Sequence, residues 1–335
     1  MKPRLKPLSE QIIVITGATS GIGLSTARRA AARGARVVLA ARNEEALQQI
    51  SDELNNQGAQ SCHVVADVAR EDEVRRIATV AIERFGGFDT WMNIAGVGMF
   101  GKNEQVSVAD MRQLFDINFW GIVYGSLAAL PQLKARGGAL INMGSETSDR
   151  AVPLQGIYAA SKQAVKGFTD ALRMELEEEA APVSVTLIKP ASVDTMFVRH
   201  AKNYMEGEPR LPSPVYTPEI VAEAMLYAAE HPVRDLPVGS RSRLSSMGAY
   251  HAPRLLDRIM QRFMYSGMES NRPAHDRADN NLYGPRADLL ERGGVGGKPR
   301  TSLYTQATLH PVATKAAVLG ASLLLAGLWQ ARRRA

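Results

Sequence analysis

From residue 11 to about 240 the chain alternates short apolar runs with longer stretches of helical periodicity. No other feature restricts its fold as strongly. The apolar runs lie at 11–16, 36–41, 61–66, 89–94, 138–143, 183–189 and near 235–239. Helical patterns fall near 22–33, 43–57, 71–85, 107–136, 155–180 and 217–231. Strands that alternate with helices build right-handed β-α-β units, in which a parallel sheet is covered on both faces. The run Ala35-Arg36-Val37-Val38-Leu39-Ala40 suits a strand buried on both sides. The expected class is therefore α/β, a doubly wound parallel sheet of about seven strands. One such unit can absorb about 250 residues, so the length of 335 residues does not require a second domain.

The first apolar run leads into Thr16-Gly17-Ala18-Thr19-Ser20-Gly21-Ile22-Gly23. A glycine-rich turn between a strand and a helix can cradle a pyrophosphate. Gly17 allows the tight turn, Gly21 and Gly23 allow close approach, and the helix N-terminus offers its free N–H groups. The second strand then ends Leu39-Ala40-Ala41-Arg42-Asn43. An NAD site often places an acid there to hold the ribose hydroxyls. Here that position is Ala41, and the next residue, Arg42, can pair bidentately with a 2′-phosphate. Thr19 and Ser20 can add hydroxyl contacts. These residues favour NADP(H) over NAD(H). Further on, Tyr158 and Lys162 stand one helical turn apart on one face.

Together these residues resemble the short-chain dehydrogenases/reductases of the simple single-domain type, with a C-terminal extension. The likeness covers residues 11 to about 245. Thr16 to Gly23 matches the family's TGxxxGxG turn, and Asp67-Val68 matches the acid that contacts adenine after the third strand. Asn93-Ile94-Ala95-Gly96 matches NNAG with Ile94 in place of Asn, and Asn93 is expected to support the sheet. Asn118, Ser145, Tyr158 and Lys162 match the catalytic tetrad. Pro190-Ala191-Ser192-Val193-Asp194-Thr195 is similar to the PGxxxT stretch beside the nicotinamide, with Ala191 replacing Gly.

The resemblance implies a Rossmann-like fold. It implies a cofactor site formed by Gly17, Thr19, Ser20, Gly21, Ile22, Gly23, Arg42, Asp67, Val68, Asn93, Ala95, Gly96, Tyr158, Lys162, Pro190, Val193 and Thr195. It also implies that Asn118 holds a water that relays protons from Lys162, and that the catalytic part forms a homo-oligomer.

A carbonyl that accepts hydride develops negative charge on its oxygen and needs a proton donor. Free tyrosine titrates near pH 10, and a neighbouring ammonium favours the phenolate. Lys162 is thus expected to lower the Tyr158 pKa, while Ser145 fixes the substrate oxygen. The substrate wall is expected from the loop Glu146 to Gly156, including Val152, Leu154 and Gln155, and from residues 192–216, with Met196, Phe197, Tyr204 and Met205. Its apolar character points to a hydrophobic carbonyl or alcohol substrate.

Beyond residue 240 the pattern changes. A helix is expected over 254–264, with Leu255, Ile259, Met260 and Phe263 at helical spacing. Residues 266–310 are rich in Gly, Pro, Asn and Arg and read as a flexible linker. Residues 311–335 contain a 14-residue apolar stretch, 316–329, before Arg332-Arg333-Arg334. That is short for a spanning helix, but Lys315 can snorkel and Trp329 suits an interface. The segment is read as a candidate membrane contact or a self-association helix, the latter through Gly320 and Gly327. The expected layout is a catalytic domain over 1–265, the linker, and this helix.

The basic excess sits in the same region. Residues 1–240 carry 25 Lys and Arg against 28 Asp and Glu, whereas 241–335 carry 15 against 6. An anionic surface or acidic partner is one reading of that excess, and no nucleic-acid partner is expected. The single cysteine, Cys62, excludes an intrachain disulfide, and the six histidines show no metal-ligand spacing, so no metal is expected. No apolar signal core follows the basic N-terminus, so the catalytic part is expected in the cytoplasm. The leading expectation is an NADP(H)-dependent oxidoreductase that interconverts a ketone or aldehyde and an alcohol, with Tyr158 as general acid/base. The alternative is a membrane-tethered NADP-binding sensor or scaffold without turnover.

Overall fold

The computed structural model describes residues 3–274, 279–286, 289–294 and 301–316. Seven strands form one parallel sheet: β1 (Ile12–Thr16), β2 (Arg36–Ala41), β3 (Ser61–Val65), β4 (Thr90–Asn93), β5 (Gly138–Met143), β6 (Val183–Pro190) and β7 (Asp235–Val238). Their order is β7-β6-β5-β4-β1-β2-β3. It reverses between β1 and β4, and the crevice beyond the C-terminal ends of those strands is where such sheets bind ligands. Thr16 ties the two ends together. Its Oγ1 accepts from the backbone N–H groups of Ile94 (3.0 Å) and Ala95 (3.2 Å).

Strand side chains alternate between two cores. Ile13, Ile15, Val37 and Leu39 pack on one face with α1 (Gly21–Ala32) and α2 (Glu44–Asn56). Ile12, Val14, Val38 and Ala40 face the other way, toward α3 (Glu71–Phe85). The sequence predicts one helix over 107–136. The structure has α4 (Val108–Phe115) and α5 (Gly121–Arg136), joined by a π-helical turn over Asp116–Trp120. Such turns widen a helix locally and often fall at functional sites. α6 (Gly156–Glu178) follows β5 and carries Tyr158 and Lys162 on its first turns, and α7 (Pro218–Glu230) precedes β7.

The C-terminal third differs from its expected form. α8 (Ser240–His251) has no counterpart in the expected elements, and α9 (Pro253–Met268) encloses the helix expected over 254–264. Glu269–Pro273 then pairs antiparallel with Gly207–Pro209. Leu282 is fully buried in the core cluster that also holds Val68. α10 (Leu303–Leu309) packs on α7. The described parts of the stretch expected as a linker therefore lie on the body of the domain. Residues 317–335, which hold nearly all of the apolar segment, lie outside the described residues. Among the described residues no helix is long and apolar enough to cross a membrane.

Candidate active site

One cavity runs along the C-terminal ends of the strands. At one end it is lined by the glycine turn (Gly17, Thr19, Ser20, Gly21, Ile22 and Gly23) and by Arg42, Asp67 and Val68. The turn is tight enough to demand its glycines. Gly17 has φ +71, and a Cβ there would lie 2.8 Å from the Cα of Ala95. At Gly23 a Cβ would lie 2.0 Å from the Gly17 carbonyl oxygen, so α1 could not pack on β1. Asp67 is oriented by an Asx turn, its Oδ1 accepting from the Ala69 N–H at 3.0 Å.

Arg42 is mostly withdrawn from solvent. Its Nη2 donates to the carbonyls of Asn281 (2.5 Å) and Gly284 (3.1 Å), and its Nη1 is buried with no hydrogen-bond partner. Burial pulls its pKa below the ordinary arginine value, partly offset by Asp67.

At the other end the cavity is lined by Ser145, Tyr158, Lys162, Pro190, Val193 and Thr195. β5 delivers Ser145, whose Oγ accepts from the Thr147 N–H at 3.1 Å and caps the turn Glu146–Ser148. The Tyr158 ring packs edge-on against Phe197, with centroids 5.4 Å apart. Lys162 is 3% exposed, and its Nζ donates to the Met143 carbonyl at 2.9 Å.

The expected depression of the phenol pKa is not found. Desolvation pushes Tyr158 up to about 12, with Glu146 adding to the rise and the Ser145 hydroxyl opposing it. Burial likewise brings Lys162 down to about 8. Its Nζ stands 5.9 Å from the Tyr158 ring centroid, and burial is the largest effect on the phenol.

Two expected site residues stand behind the cavity wall. Asn93 was expected among the cofactor contacts, yet it is 2% exposed and points into the sheet's flank. Its Oδ1 accepts from Trp91 Nε1 (2.8 Å), and its Nδ2 donates to Asn142 Oδ1 (2.9 Å). It supports the sheet but does not line the cavity. Asn118, on the π-helical turn, is fully buried. Its Oδ1 accepts from the Val97 N–H (2.8 Å), and its Nδ2 donates to the Val97 carbonyl (3.0 Å). Its side chain thus clamps the loop that carries Ala95 and Gly96, both of which line the cavity.

Of the expected substrate wall, Val152, Gln155, Met196 and Phe197 line the cavity. Leu154 and Met205 instead fill a neighbouring core cluster, and Tyr204 donates to Asp110 Oδ2 at 2.6 Å. The structure adds His200, Leu211 and Pro212, and Met264 from α9. It also adds Asn281, Pro285 and Arg286 at the Arg42 end. His200, Leu211 and Pro212 fall inside the stretch 192–216 expected as wall and Met264 inside the expected helix, whereas Asn281, Pro285 and Arg286 had no sequence signal.

A strand-end crevice that joins a glycine turn to a Ser-Tyr-Lys set belongs to a Rossmann-like, doubly wound fold. The family model described as short chain dehydrogenase matches residues 11–205, and the chain belongs to that family. A Bacillus subtilis protein described as uncharacterized oxidoreductase YxnA is 49% identical over 323 residues, which is 95% of this chain and 91% of that protein. An 11-beta-hydroxysteroid dehydrogenase A of Sesamum indicum is 36% identical over 200 residues, 59% of this chain and 56% of its own. Among solved structures, the alcohol dehydrogenase of Thermococcus sibiricus, complexed with 5-hydroxy-NADP, is 28% identical with a TM-score of 0.60. The alignment covers 68% of this chain and 94% of that one. A short chain dehydrogenase/reductase of Burkholderia phymatum in complex with NAD is 27% identical with a TM-score of 0.63, covering 75% and 95%. The structural relatives thus include both an NADP-type and an NAD complex.

Proposed function

We propose that this protein is an NADP(H)-dependent oxidoreductase that interconverts a ketone or aldehyde and an alcohol on a hydrophobic substrate. The observation that carries the reading is a single cavity with Ser145, Tyr158 and Lys162 at one end and the glycine turn with Arg42 at the other. The residues present fit a 2′-phosphorylated dinucleotide. Arg42 Nη1 is a buried donor without a partner, a state that costs about 1–3 kcal/mol or more for a charged group until an acceptor arrives. Ala41 leaves no carboxylate at the strand end to compete for it. Gly17 to Gly23 would hold the pyrophosphate, and Lys162 and the Pro190–Thr195 loop would hold the nicotinamide half.

The bound nicotinamide would supply or take up the hydride. Tyr158 Oη keeps its proton at neutral pH because burial places its pKa near 12. It is therefore ready to donate to a substrate oxygen beside Ser145. Lys162, near pH 8, can take up or release a proton at little cost and replenish the site. Met196, Phe197, Leu211 and Met264 exclude water from the reacting end. The apolar wall matches the kind of substrate named for the Sesamum indicum relative. No feature of the site favours the scaffold reading.

The test is Tyr158→Phe, assayed for NADPH-dependent reduction of a panel of hydrophobic ketones. Turnover should fall by about 10²–10⁴, while the NADPH dissociation constant stays within about twofold. Retention of most of the activity would sink the mechanism.

A further inference from the structure

Residues 279–286 and 289–294, from the stretch expected as a linker, lie across the dinucleotide end of the cavity as a strap. Both described parts are anchored. The Asn281 N–H donates to the His200 carbonyl (2.9 Å), and Leu282 is buried in the core. Tyr283 Oη donates to Asp110 Oδ1 (2.6 Å). Beyond, the Leu290 carbonyl accepts from the Gly21 N–H at 2.9 Å, Glu291 pairs with Arg28 (2.8 Å), and Arg292 pairs with Glu219 (2.6 Å). Gly293 lies so close to Thr195 that a Cβ would come within 2.2 Å of the Thr195 carbonyl oxygen. The strap thus touches the glycine turn, the Thr195 loop and Arg42, three of the places that define the groove.

At the Arg42 end the strap does two things. The carbonyls of Asn281 and Gly284 hold Arg42 Nη2, which fixes the guanidinium while Nη1 stays unpartnered. Both acceptors are neutral, and Asp67 is the carboxylate whose charge is felt at Arg42. The strap also brings Arg286 to the same cavity, beside Asn281 and Pro285. Arg286 is braced from within the strap, Nη2 to Asp279 Oδ1 at 2.6 Å and Nε to the Asn280 carbonyl at 3.2 Å. Two guanidinium groups at one end of a groove match a phosphate monoester, which carries close to two negative charges and three acceptor oxygens.

We propose that Arg286, presented by this strap, is a second binding residue for the 2′-phosphate and shares with Arg42 the discrimination of NADP(H) from NAD(H). The proposal rests on the NADP(H) reading above. It gives part of the basic C-terminal third a function that composition alone left open.

The test is fluorescence titration of the full chain with NADPH and with NADH, for the wild type, Arg286→Ala, Arg286→Gln and Arg286→Lys. The wild type should bind NADPH more tightly than NADH. Arg286→Ala and Arg286→Gln should weaken NADPH binding about tenfold and leave NADH within about twofold, and Arg286→Lys should recover part of the loss. Arg286→Gln guards against a collapsed strap, because its amide can still reach the Asn280 carbonyl. Equal weakening of both nucleotides would show that Arg286 only braces the strap and would overturn the proposal, as would no change with either. A wild type that binds NADH at least as tightly as NADPH overturns the NADP(H) reading itself, a result seen before any substitution is made.

Discussion

Arg42 and Lys162 are both cations withdrawn from water, and each implies a measurable cost and a use. On the NADP(H) reading, Arg42→Ala should erase most of the proposed preference for NADPH, by about tenfold or more, by removing a charge-assisted contact that NADH would not make. The ratio of KM values for the two cofactors checks it. Lys162 makes a prediction in pH. Its folded pKa is near 8 against an ordinary 10.5. Between those values the unfolded chain binds the extra proton, so this group adds stability as pH rises. Lys162→Met should therefore lose activity yet be more stable than the wild type at pH 7, by up to about 3 kcal/mol. The gap should close toward pH 10, as urea unfolding at both pH values would show. A gap that does not change with pH would mean that Lys162 is not depressed. The side chains proposed to react, and their order along the chain, were readable in the sequence. The pKa values were not, because they depend on how much water the fold removes, and the lone Tyr-Lys spacing suggested the opposite sign for Tyr158.

Among the elements, the seven strands and the main helices fall close to where periodicity placed them, because alternation of strand and helix is written locally. The misreadings were at points where one side chain serves two elements. The 107–136 pattern is apolar enough to continue as one helix, and the π-helical turn that seats Asn118 against Val97 leaves no periodic trace. Asn93 sits at a strand end that faces the cofactor in outline. Its amide, however, is spent on Trp91 and Asn142 on the flank of the sheet. Asn93→Ala should cost about 2–3 kcal/mol by stranding those buried partners, with the NADPH dissociation constant unchanged. Urea denaturation and a binding titration on the same variant separate the two roles, and a selective loss of NADPH binding would return Asn93 to the cofactor site.

The assembled molecule depends on its C-terminal third more than the composition suggests. Leu282, from a Gly- and Asn-rich stretch, is fully buried, and so is Met268 at the end of α9. Leu282→Ala should lower stability by about 2–4 kcal/mol, and a chain ending at residue 265 should melt earlier than the full-length protein. An unchanged melting temperature in either would show that the strap is a passive covering. By itself the sequence determined the parallel α/β sheet, and it carried the glycine turn and the Ser145, Tyr158 and Lys162 set proposed to react, since each is written in spacing within a few residues or in the order of short motifs. Only packing in three dimensions decided that Arg42 meets a carbonyl 239 residues away and that burial is the largest effect on the phenol. It likewise made a segment with turn-forming composition into a wall of the cavity. Those outcomes arise from desolvation and long-range contact, which no local pattern of residues encodes.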